Sequence, residues 1–596
     1  MPEALRRFRM MLAISVRADP VRSVAAVLTA TGQHATLPVR AYGLKLVADG
    51  ILRHQSHRAV TGVVLMVLLT AGNRLMAWWS LNVRIRLREN TQLYLDSYLM
   101  GLVAGVPGVA HHELPEYLDR MELIRAERGY LANPFNPISW TIASVIATIS
   151  VIWLLGSVRP VLALLPLVGV PAAIESGRAD EKLERLIDAQ AEDNRVLRHL
   201  MELAVEAPAA KEIRIFGLGP EVLGRHRSLF GRLEAARIRL AVRASVGVVA
   251  AWAIFGAAYA ASLVWVVHLA AIGATTPGSV ALVLSLGGQL NTQLAETGWN
   301  VAWLIRTYRA VGRLVWLADY GDRSRLALRP ERPSPVPERI EDGIAFEGVA
   351  FAYPGTDRAV LADINLVLPA GSTVAIVGEN GAGKTTLVKL LSRLYEPSVG
   401  TIKIDGVPLG CFEVDEWRAA MSAGFQDFAR FELIARQSVG VGLTTLMDSA
   451  PAVTEALQRG AAIEVVRALP EGLETQLGRE FDGVELSLGQ WQKLALGRAM
   501  MRPAPLVLVL DEPTASLDAP TEHDLFERFA GAARSVAGSV GGITILVSHR
   551  FSTVRMADLI VVVSGGRVAE VGGHDRLMAL DGLYASLYRT QAQGYR

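Results

Sequence analysis

The sequence predicts a multidomain fold: an α-helical transmembrane domain of six helices, followed by an α/β domain with a helical subdomain. Three observations lead to this prediction. Apolar stretches long enough to cross a bilayer of about 30 Å are concentrated in the first half. A charged, proline-rich segment separates the halves. In the second half, short β-branched runs alternate with amphipathic helices, which indicates a largely parallel sheet.

Composition narrows the class of protein. The chain has 596 residues, of which 51% are hydrophobic, and its mean hydropathy is +0.30. A net charge of +2 gives no sign of a nucleic-acid partner. The single cysteine, Cys411, excludes an internal disulfide and fits a cytosolic domain. We therefore expect membrane lipid, and no nucleic acid, among the partners.

Six membrane spans are predicted. They cover about 23–50, 58–83, 137–157, 159–176, 244–272 and 277–306. The first is the least apolar, because it contains Gln33, His34, Pro38, Arg40 and Lys45. Such residues in a span face a bundle interior or a watery cavity. The alternative is that this span begins or ends elsewhere and some of them lie at the membrane surface.

The distribution of charge predicts the topology. The start of the chain is basic and has no signal peptide, so it should stay on the cytoplasmic side. An even number of spans returns the chain there, giving a multi-pass protein of the cytoplasmic membrane with its N-terminus and C-terminal domain in the cytoplasm. The stretches 84–136 and 177–243 are long and charged, and they should extend into the cytoplasm as helices. Short helices are expected at their tips, at 115–123 and 211–217.

These patterns set the predicted domain limits. The transmembrane domain covers residues 1–321 and a linker with four prolines covers about 322–343. The α/β domain covers 344–596.

A glycine-rich loop in the α/β domain carries the first chemical motif. It follows the predicted strand 373–377, and its glycines let backbone N–H groups surround phosphates at the start of a helix. Lys384 should reach the terminal phosphates of a nucleotide, and the Thr385 hydroxyl should bind Mg²⁺. The predicted nucleotide-binding residues of this P-loop (Walker A) motif are Gly378, Glu379, Asn380, Gly381, Ala382, Gly383, Lys384, Thr385 and Thr386.

Two carboxylates follow the buried apolar strand 506–510. Asp511 can hold Mg²⁺ or its water, and Glu512 can accept a proton from an attacking water. Together with the phosphate loop they predict a P-loop (RecA-like) ATPase domain that uses ATP and Mg²⁺.

The next motif, Leu-Ser-Leu-Gly-Gln at 486–490, resembles the signature of the ATP-binding cassette (ABC) superfamily. The resemblance covers about 345–590. It implies that Tyr353 stacks on adenine, that Gln426 contacts Mg²⁺ and water, and that His549 contacts the γ-phosphate. It also implies that Ser487, Gly489, Gln490 and Asp518 contribute to nucleotide binding, Asp518 in the dimer-contact loop Ser516–Asp518. The catalytic residues would then be Glu512, His549, Lys384 and Gln426, and the metal ligands Thr385, Gln426 and Asp511.

The layout of the membrane half is similar to the exporter-type (type IV) half-transporters of that superfamily. In such proteins the signature Ser487 and Gly489 act on ATP bound to the partner subunit, so a homodimer or a heterodimer is expected. The superfamily usually has glycine where this chain has Leu488. We expect the Leu488 side chain to turn into the helical subdomain; the alternative is that it points toward the partner.

The resemblance implies ATP-driven export of a small molecule or peptide, an antibiotic, a drug or a lipid. ATP binding would close the cassettes and hydrolysis would reset them. Two alternative functions remain: an importer on the same fold, and the supporting subunit of a heterodimeric transporter. A soluble ABC ATPase of DNA repair or translation is disfavoured by the six spans.

Overall fold

The structure is a computed structural model that describes residues 3–356, 358–513, 531, 537–548 and 554–594. It divides into two compact units. The helical unit consists of residues 1–102 and 122–318, and the α/β unit consists of residues 103–121 and 319–596. The segment 103–121, which contains most of the predicted tip helix 115–123, thus groups with the α/β unit.

Eleven helices are described from Glu3 to Leu328. They are α1 (Glu3–Ala18), α2 (Pro20–Leu52), α3 (Ser56–Ala104), α4 (Pro115–Ala126), α5 (Arg128–Leu131), α6 (Phe135–Val158), α7 (Leu165–Ala189), α8 (Ala191–Val205), α9 (Ala207–Ile215), α10 (Gly219–Ala271) and α11 (Pro277–Leu328). Helices α4 and α9 occupy the two predicted tips. Each of the six predicted spans falls largely or wholly in a described helix.

Four of these helical segments are long and apolar enough to cross a membrane. They are α3, α6, the segment Pro160–Ala189 that contains α7, and α10. Helices α2 and α11 are long enough to cross a membrane, with 33 and 52 residues. Among the described residues, however, neither is one of the four helices that are also apolar enough. The count of six spans therefore stays a prediction.

The N-terminal basic segment forms a helix of its own, α1, which the sequence did not reveal. It ends where Asp19 caps α2: the Asp19 carboxylate accepts a hydrogen bond of 2.9 Å from the backbone N–H of Arg22. Pro20 occupies the first turn of α2, where its missing N–H costs nothing.

Helices α2 and α3 pack closely through glycines on one face of α2. A Cβ added at Gly32 would lie 2.5 Å from Met76, and one at Gly50 would lie 2.4 Å from the backbone of Ala59. Gly43, which is eleven residues after Gly32 and so on the same face, meets Met66. Small residues that let helices approach in this way are typical of membrane bundles.

The α/β unit contains two sheets. Its strands are β1 (Gly343–Ala352), β2 (Ala359–Pro369), β3 (Thr373–Val377), β4 (Val399–Ile404), β5 (Val407–Pro408), β6 (Met421–Gly424), β7 (Val507–Asp511), β8 (Ile543–Val547), β9 (Leu559–Ser564) and β10 (Arg567–Gly572). The antiparallel sheet has the order β2-β1-β4-β5, and the larger sheet has the order β10-β9-β3-β8-β7-β6. From β9 to β6 the larger sheet is parallel, as predicted.

The described helices of this unit surround the larger sheet or form a separate layer. They are α12 (Lys384–Leu391), α13 (Val414–Ala419), α14 (Ala435–Gly440), α15 (Ala450–Arg459), α16 (Ile463–Arg467), α17 (Leu488–Ala499), α18 (His574–Ala579) and α19 (Leu583–Gly594). Helices α14 to α17 share a buried apolar cluster that contains Trp491, and they form the predicted helical subdomain.

The register of the parallel sheet positions the chemical motifs. Val547 at the end of β8 pairs with Ile376 of β3 on one side and with Asp511 of β7 on the other. The carboxyl ends of β3 and β7 therefore meet at one edge of the sheet. That edge is where open parallel sheets bind ligands.

Candidate functional site

The phosphate loop runs from Gly378 at the end of β3 to the first turn of α12. Gly378 and Gly383 have φ angles of 152° and 105°, which L side chains rarely adopt. A Cβ at Gly378 would also lie 2.1 Å from the carbonyl oxygen of Val563. Glycine is therefore required at both positions, and the loop places its backbone at the start of α12, where anions are favoured.

Lys384 turns back onto this loop. Its Nζ donates hydrogen bonds of 2.9 Å to the carbonyl oxygens of Gly378 and Glu379. Burial lowers the pKa of Lys384, and the nearby carboxylates of Glu512 and Asp511 partly offset that effect. The ammonium group is thus held at the loop, where a phosphate oxygen can replace the two carbonyls as its partner.

Asp511 ends β7 and is only 2% exposed. Burial raises the pKa of its carboxyl to about 6, and the Thr385 hydroxyl and the Lys384 charge oppose that rise. The Thr385 hydroxyl faces this carboxylate without completing a hydrogen bond of regular geometry, and both carboxylate oxygens lack one among the described residues. A buried carboxylate in need of a partner, beside a hydroxyl, fits a hard cation with oxygen ligands such as Mg²⁺.

Glu512 has an unusual backbone, with a φ of 47°. Its N–H donates a hydrogen bond of 2.9 Å to the carbonyl of Val547, and its carboxylate accepts one of 2.8 Å from the Gln426 amide. The side chain of Gln492, on α17, donates a hydrogen bond of 3.2 Å to the Glu512 carbonyl. Neighbouring elements therefore hold the strained conformation, as is common where catalytic groups are positioned.

These residues line one pocket of about 760 Å³. The lining residues are Tyr353, Val360, Gly378, Glu379, Asn380, Gly381, Gly383, Lys384, Thr385, Thr386, Gln426, Glu512 and Leu587. Eleven of them were predicted from the sequence; Val360 and Leu587 were not. Ala382 and Asp511 lie beneath the surface of the pocket.

Tyr353 forms one wall of the pocket. Its ring lies edge-on to Tyr395, with ring centroids 5.3 Å apart, and its hydroxyl is 3.0 Å from the Thr386 hydroxyl. A ring on the pocket wall can stack on a base, and this role of Tyr353 stays a prediction.

The signature residues Ser487, Gly489 and Gln490 are absent from the lining of this pocket, as far as the described residues show. Ser487 caps α17: its hydroxyl accepts a hydrogen bond from the backbone N–H of Gln490, whose side chain accepts one from the N–H of Ser487. The expectation that Leu488 turns into the helical subdomain is wrong. Its side chain is 53% exposed at the first turn of α17, since the capping box directs that turn outward.

Three residues implied by the resemblance, Ser516, Asp518 and His549, lie outside the described residues. Their roles stay predictions.

A contact that the sequence did not reveal joins segment 103–121 to the pocket. Lys389 Nζ lies 3.7 Å from the Glu113 carboxylate and 5.4 Å from the centre of the Tyr353 ring. The backbone N–H of Val109 donates to the carbonyl of Leu394 at 3.4 Å. Segment 103–121 thus contacts the aromatic wall through Lys389 and through Tyr395, which interacts with the same Glu113 carboxylate.

Comparisons with known proteins agree with this arrangement. A family model described as ABC transporter matches residues 361–515. The ATP-dependent lipid A-core flippase of Cupriavidus pinatubonensis is 33% identical over 425 residues, 69% of this chain and 68% of that protein. The protein of the same name from Alkalilimnicola ehrlichii is 40% identical over 257 residues, 43% of this chain, and the matched part spans only 42% of that relative.

A solved structure of a bacterial Atm1-family ABC exporter with ATP bound has the same fold. Its TM-score is 0.79 at 24% sequence identity, with 97% of this chain and 98% of that chain covered.

The fold and the pocket define a P-loop nucleotide-binding domain fused to a helical domain that contains helices of membrane-spanning length and composition. The flippase of Cupriavidus pinatubonensis matches over about two thirds of both chains, and the solved exporter has the same fold over 97% of this chain. The chain belongs to the ABC transporter superfamily, as an exporter-type half-transporter with fused membrane and cassette domains.

Proposed function

We propose that this protein is one half of a dimeric, ATP-driven exporter of the cytoplasmic membrane. The observation that carries the proposal is the convergence of Lys384, Gln426 and Glu512 on one pocket, beside the buried carboxylate of Asp511. The two relatives are named flippases, which supports a lipid or another amphipathic molecule as the substrate.

Five residues in and beneath the pocket have proposed roles in hydrolysis: Lys384, Thr385, Gln426, Asp511 and Glu512. Glu512 accepts a proton from the attacking water, and Gln426, which is bonded to its carboxylate, orients the two. Lys384 exchanges its loop carbonyls for phosphate oxygens and stabilises the charge that develops on them. Thr385, Gln426 and Asp511 would hold Mg²⁺, which supplies charge neutralisation to the phosphates.

The position of the signature residues supports a dimer. Ser487 and Gly489 stand at the exposed start of a helix and outside the lining of their own chain's pocket, so they are available to a nucleotide on a partner. The second tip supports the same conclusion. Ile215 and Phe216, at the end of α9, are 78% and 67% exposed, and such apolar side chains suit docking on another subunit.

Six spans fit a bundle with a polar interior. Helices α2 and α11 are the two predicted spans that are not among the four apolar candidates. A span with polar residues is stable where it faces other helices or water. We propose that α2 and α11 line the pathway and that the four apolar spans provide more of the lipid-facing surface.

ATPase and lipid-flipping assays on the purified protein test this function. In proteoliposomes with cassettes facing out, added ATP should move phosphatidylcholine that carries a fluorophore on its acyl chain into the inner leaflet, where dithionite cannot reach it. Lys384→Ala should lower ATP affinity and stop both activities, whereas Lys403→Ala, which alters a lysine paired with Glu347, should not. ATP-driven movement to the outer leaflet would identify an importer instead. Absence of ATPase activity in the wild-type homodimer would contradict an autonomous exporter.

A second function, the supporting subunit of a heterodimer, is favoured by one observation. Leu488 is exposed beside the signature Ser487, where its bulk can hold the partner's nucleotide away. A change in ATPase rate of less than about threefold in Leu488→Gly, under about 1 kcal/mol in barrier, supports the autonomous exporter. A gain of about tenfold or more supports the supporting subunit.

A further inference from the structure

The two most polar predicted spans, α2 and α11, meet at two places. Near their outer ends, the Asp49 carboxylate accepts hydrogen bonds from the N–H of Gly278 at 2.9 Å and from the hydroxyl of Thr276 at 3.0 Å. Deeper in the helical unit, His34 Nε2 lies 3.9 Å from a carboxylate oxygen of Glu296. The first contact caps the start of α11.

Glu296 lies deep in its span and is exposed. It is nineteen residues after the start of α11, which corresponds to about 28 Å along the helix, and its side chain is 50% exposed. Leu284, Gly288 and Thr292 precede it at intervals of four and are also exposed, so they share one face of α11. A carboxylate at that depth is too costly in hydrocarbon, and this face therefore borders water.

His34 lies buried behind the carboxylate. It is 6% exposed, and its Nδ1 lies 3.0 Å from the carbonyl oxygen of Ala30. Because a carbonyl oxygen only accepts, Nδ1 donates its hydrogen to Ala30, and Nε2, at 3.9 Å from Glu296, is beyond hydrogen-bond length. The Trp140 ring packs edge-on at 4.8 Å and keeps the imidazole in place.

An aromatic side chain completes the environment of Glu296. Trp299, three residues later and on an adjacent part of the same face, is 62% exposed, and its ring lies 5.2 Å from that of Trp303. A carboxylate beside an exposed indole is the combination that binds organic cations, through charge and through the ring face.

The positive charges nearby do not share this surface. Arg74 lies on α3, which packs on the glycine face of α2, about 200° around that helix from His34. Arg84 lies over the ring of Trp140, which separates it from His34. Arg40 is rotated by about 240° from His34, and Lys45 is about 16 Å further toward the outer end of α2.

We propose that Glu296, flanked by Trp299, binds the cationic group of an amphipathic substrate in the transport pathway. This inference rests on the proposed function, because it requires α2 and α11 to span the membrane beside a water-filled cavity. It narrows the substrates to molecules that combine an ammonium or similar cation with an apolar body.

Two ions of the same shape and opposite charge test the proposal. Tetraphenylphosphonium and tetraphenylborate would be dialysed against the detergent-solubilised full-length protein, with empty micelles as the background. The wild type should bind the phosphonium about tenfold or more tightly than the borate. Glu296→Gln should abolish that preference, and Trp299→Leu should weaken phosphonium binding about threefold or more. Arg74→Gln, which removes a charge at similar depth on the other side of α2, should keep the preference.

The outcomes separate this inference from the proposed function. Equal binding of the two ions by the wild type, or an unchanged preference in Glu296→Gln, would overturn it. Loss of the preference in Arg74→Gln would overturn it as well. If Glu296→Gln does not fold, the proposal is tested by the wild-type preference for the phosphonium and by the weaker phosphonium binding expected of Trp299→Leu. An ATPase-active wild type without the preference refutes the cation site alone, whereas a wild type without ATPase activity refutes the proposed function.

Discussion

The side-chain amide of Gln492 donates a hydrogen bond of 3.2 Å to the backbone carbonyl of Glu512. Gln492 lies in the second turn of α17, the helix that begins at the signature motif. The helix that would face the partner's nucleotide is thus bonded to the backbone of the proposed general base. Any shift of α17 on dimer closure is transmitted to the strained residue that must orient the attacking water.

Replacement of Gln492 by alanine should lower the turnover number and leave ATP affinity unchanged. The lost hydrogen bond corresponds to about 0.5–1.5 kcal/mol, or about a two- to twelvefold lower rate. Steady-state ATPase kinetics and labelled-ATP binding measure the two quantities. Gln437→Ala is the control, since that amide bonds Asp448 outside the pocket. An equal decrease in turnover number in both variants, or weaker ATP binding in Gln492→Ala, would count against a positioning role for Gln492.

Glu512→Gln should remove most ATP hydrolysis while ATP still binds. The general base contributes about 10²–10⁴ in rate, and the glutamine keeps the shape of the side chain and its proximity to Gln426. The variant should accumulate as an ATP-bound dimer in size-exclusion chromatography. Turnover within about a factor of two of wild type would show that Glu512 is not the base.

Acid should weaken the α/β unit through His111. Burial lowers the pKa of this histidine to about 4, with help from the charge of His112, against an ordinary value of 6.5. Between these pH values the unfolded chain binds a proton at His111 that the folded chain does not. The free energy of unfolding is therefore unaffected by this group above pH 6.5 and decreases as the pH falls toward 4. At pH 5 the loss is up to about 2 kcal/mol.

His111→Phe should reduce that loss, since a phenyl ring keeps the contacts with Tyr117 and Tyr320 without titrating. Melting temperatures at pH 7.5 and pH 5 measure the effect. The control is His199→Phe, which alters a histidine that is 66% exposed. If the melting temperature falls equally in wild type and His111→Phe between pH 7.5 and pH 5, His111 is not the cause of the acid sensitivity.

The six-span topology predicts which tags are reached from outside the cell. Tags at Arg53 and Ala274 follow α2 and α10 and should be accessible, whereas tags at Met100, Glu212 and Arg596 should be shielded. Labelling of single-cysteine variants in a Cys411→Ser background with an impermeant maleimide makes the comparison. External labelling at Glu212 would refute the six spans.

Some parts of the fold and the site could be predicted because their determinants are contiguous. The phosphate loop needs a strand, three glycines with positive φ and a helix, and all of these fall within Thr373–Leu391. Likewise, Asp511 and Glu512 could be assigned because a buried strand ends directly before them.

Other features depend on packing between distant segments and left no local pattern. Glu113 and Lys389 are 276 positions apart, and either residue alone reads as an ordinary surface charge. The pairing of His34 with Glu296 depends in the same way on the contact between α2 and α11. Leu488 was misplaced because the expectation rested on the presence of the catalytic residues, which does not determine where the first side chain of α17 points.

The polar character of α2 and α11 also has a consequence for biogenesis. During synthesis α2 emerges more than 200 residues before α11, with Asp49 and His34 still lacking their partners on that helix. A helix of this composition partitions weakly from the translocon into lipid. Its glycine face, however, fits against the apolar α3, so the two can enter the bilayer as a hairpin. Arrival of α11 would then complete the insertion, and a chain that stops before Pro277 would keep a poorly anchored α2 as a target for membrane proteases.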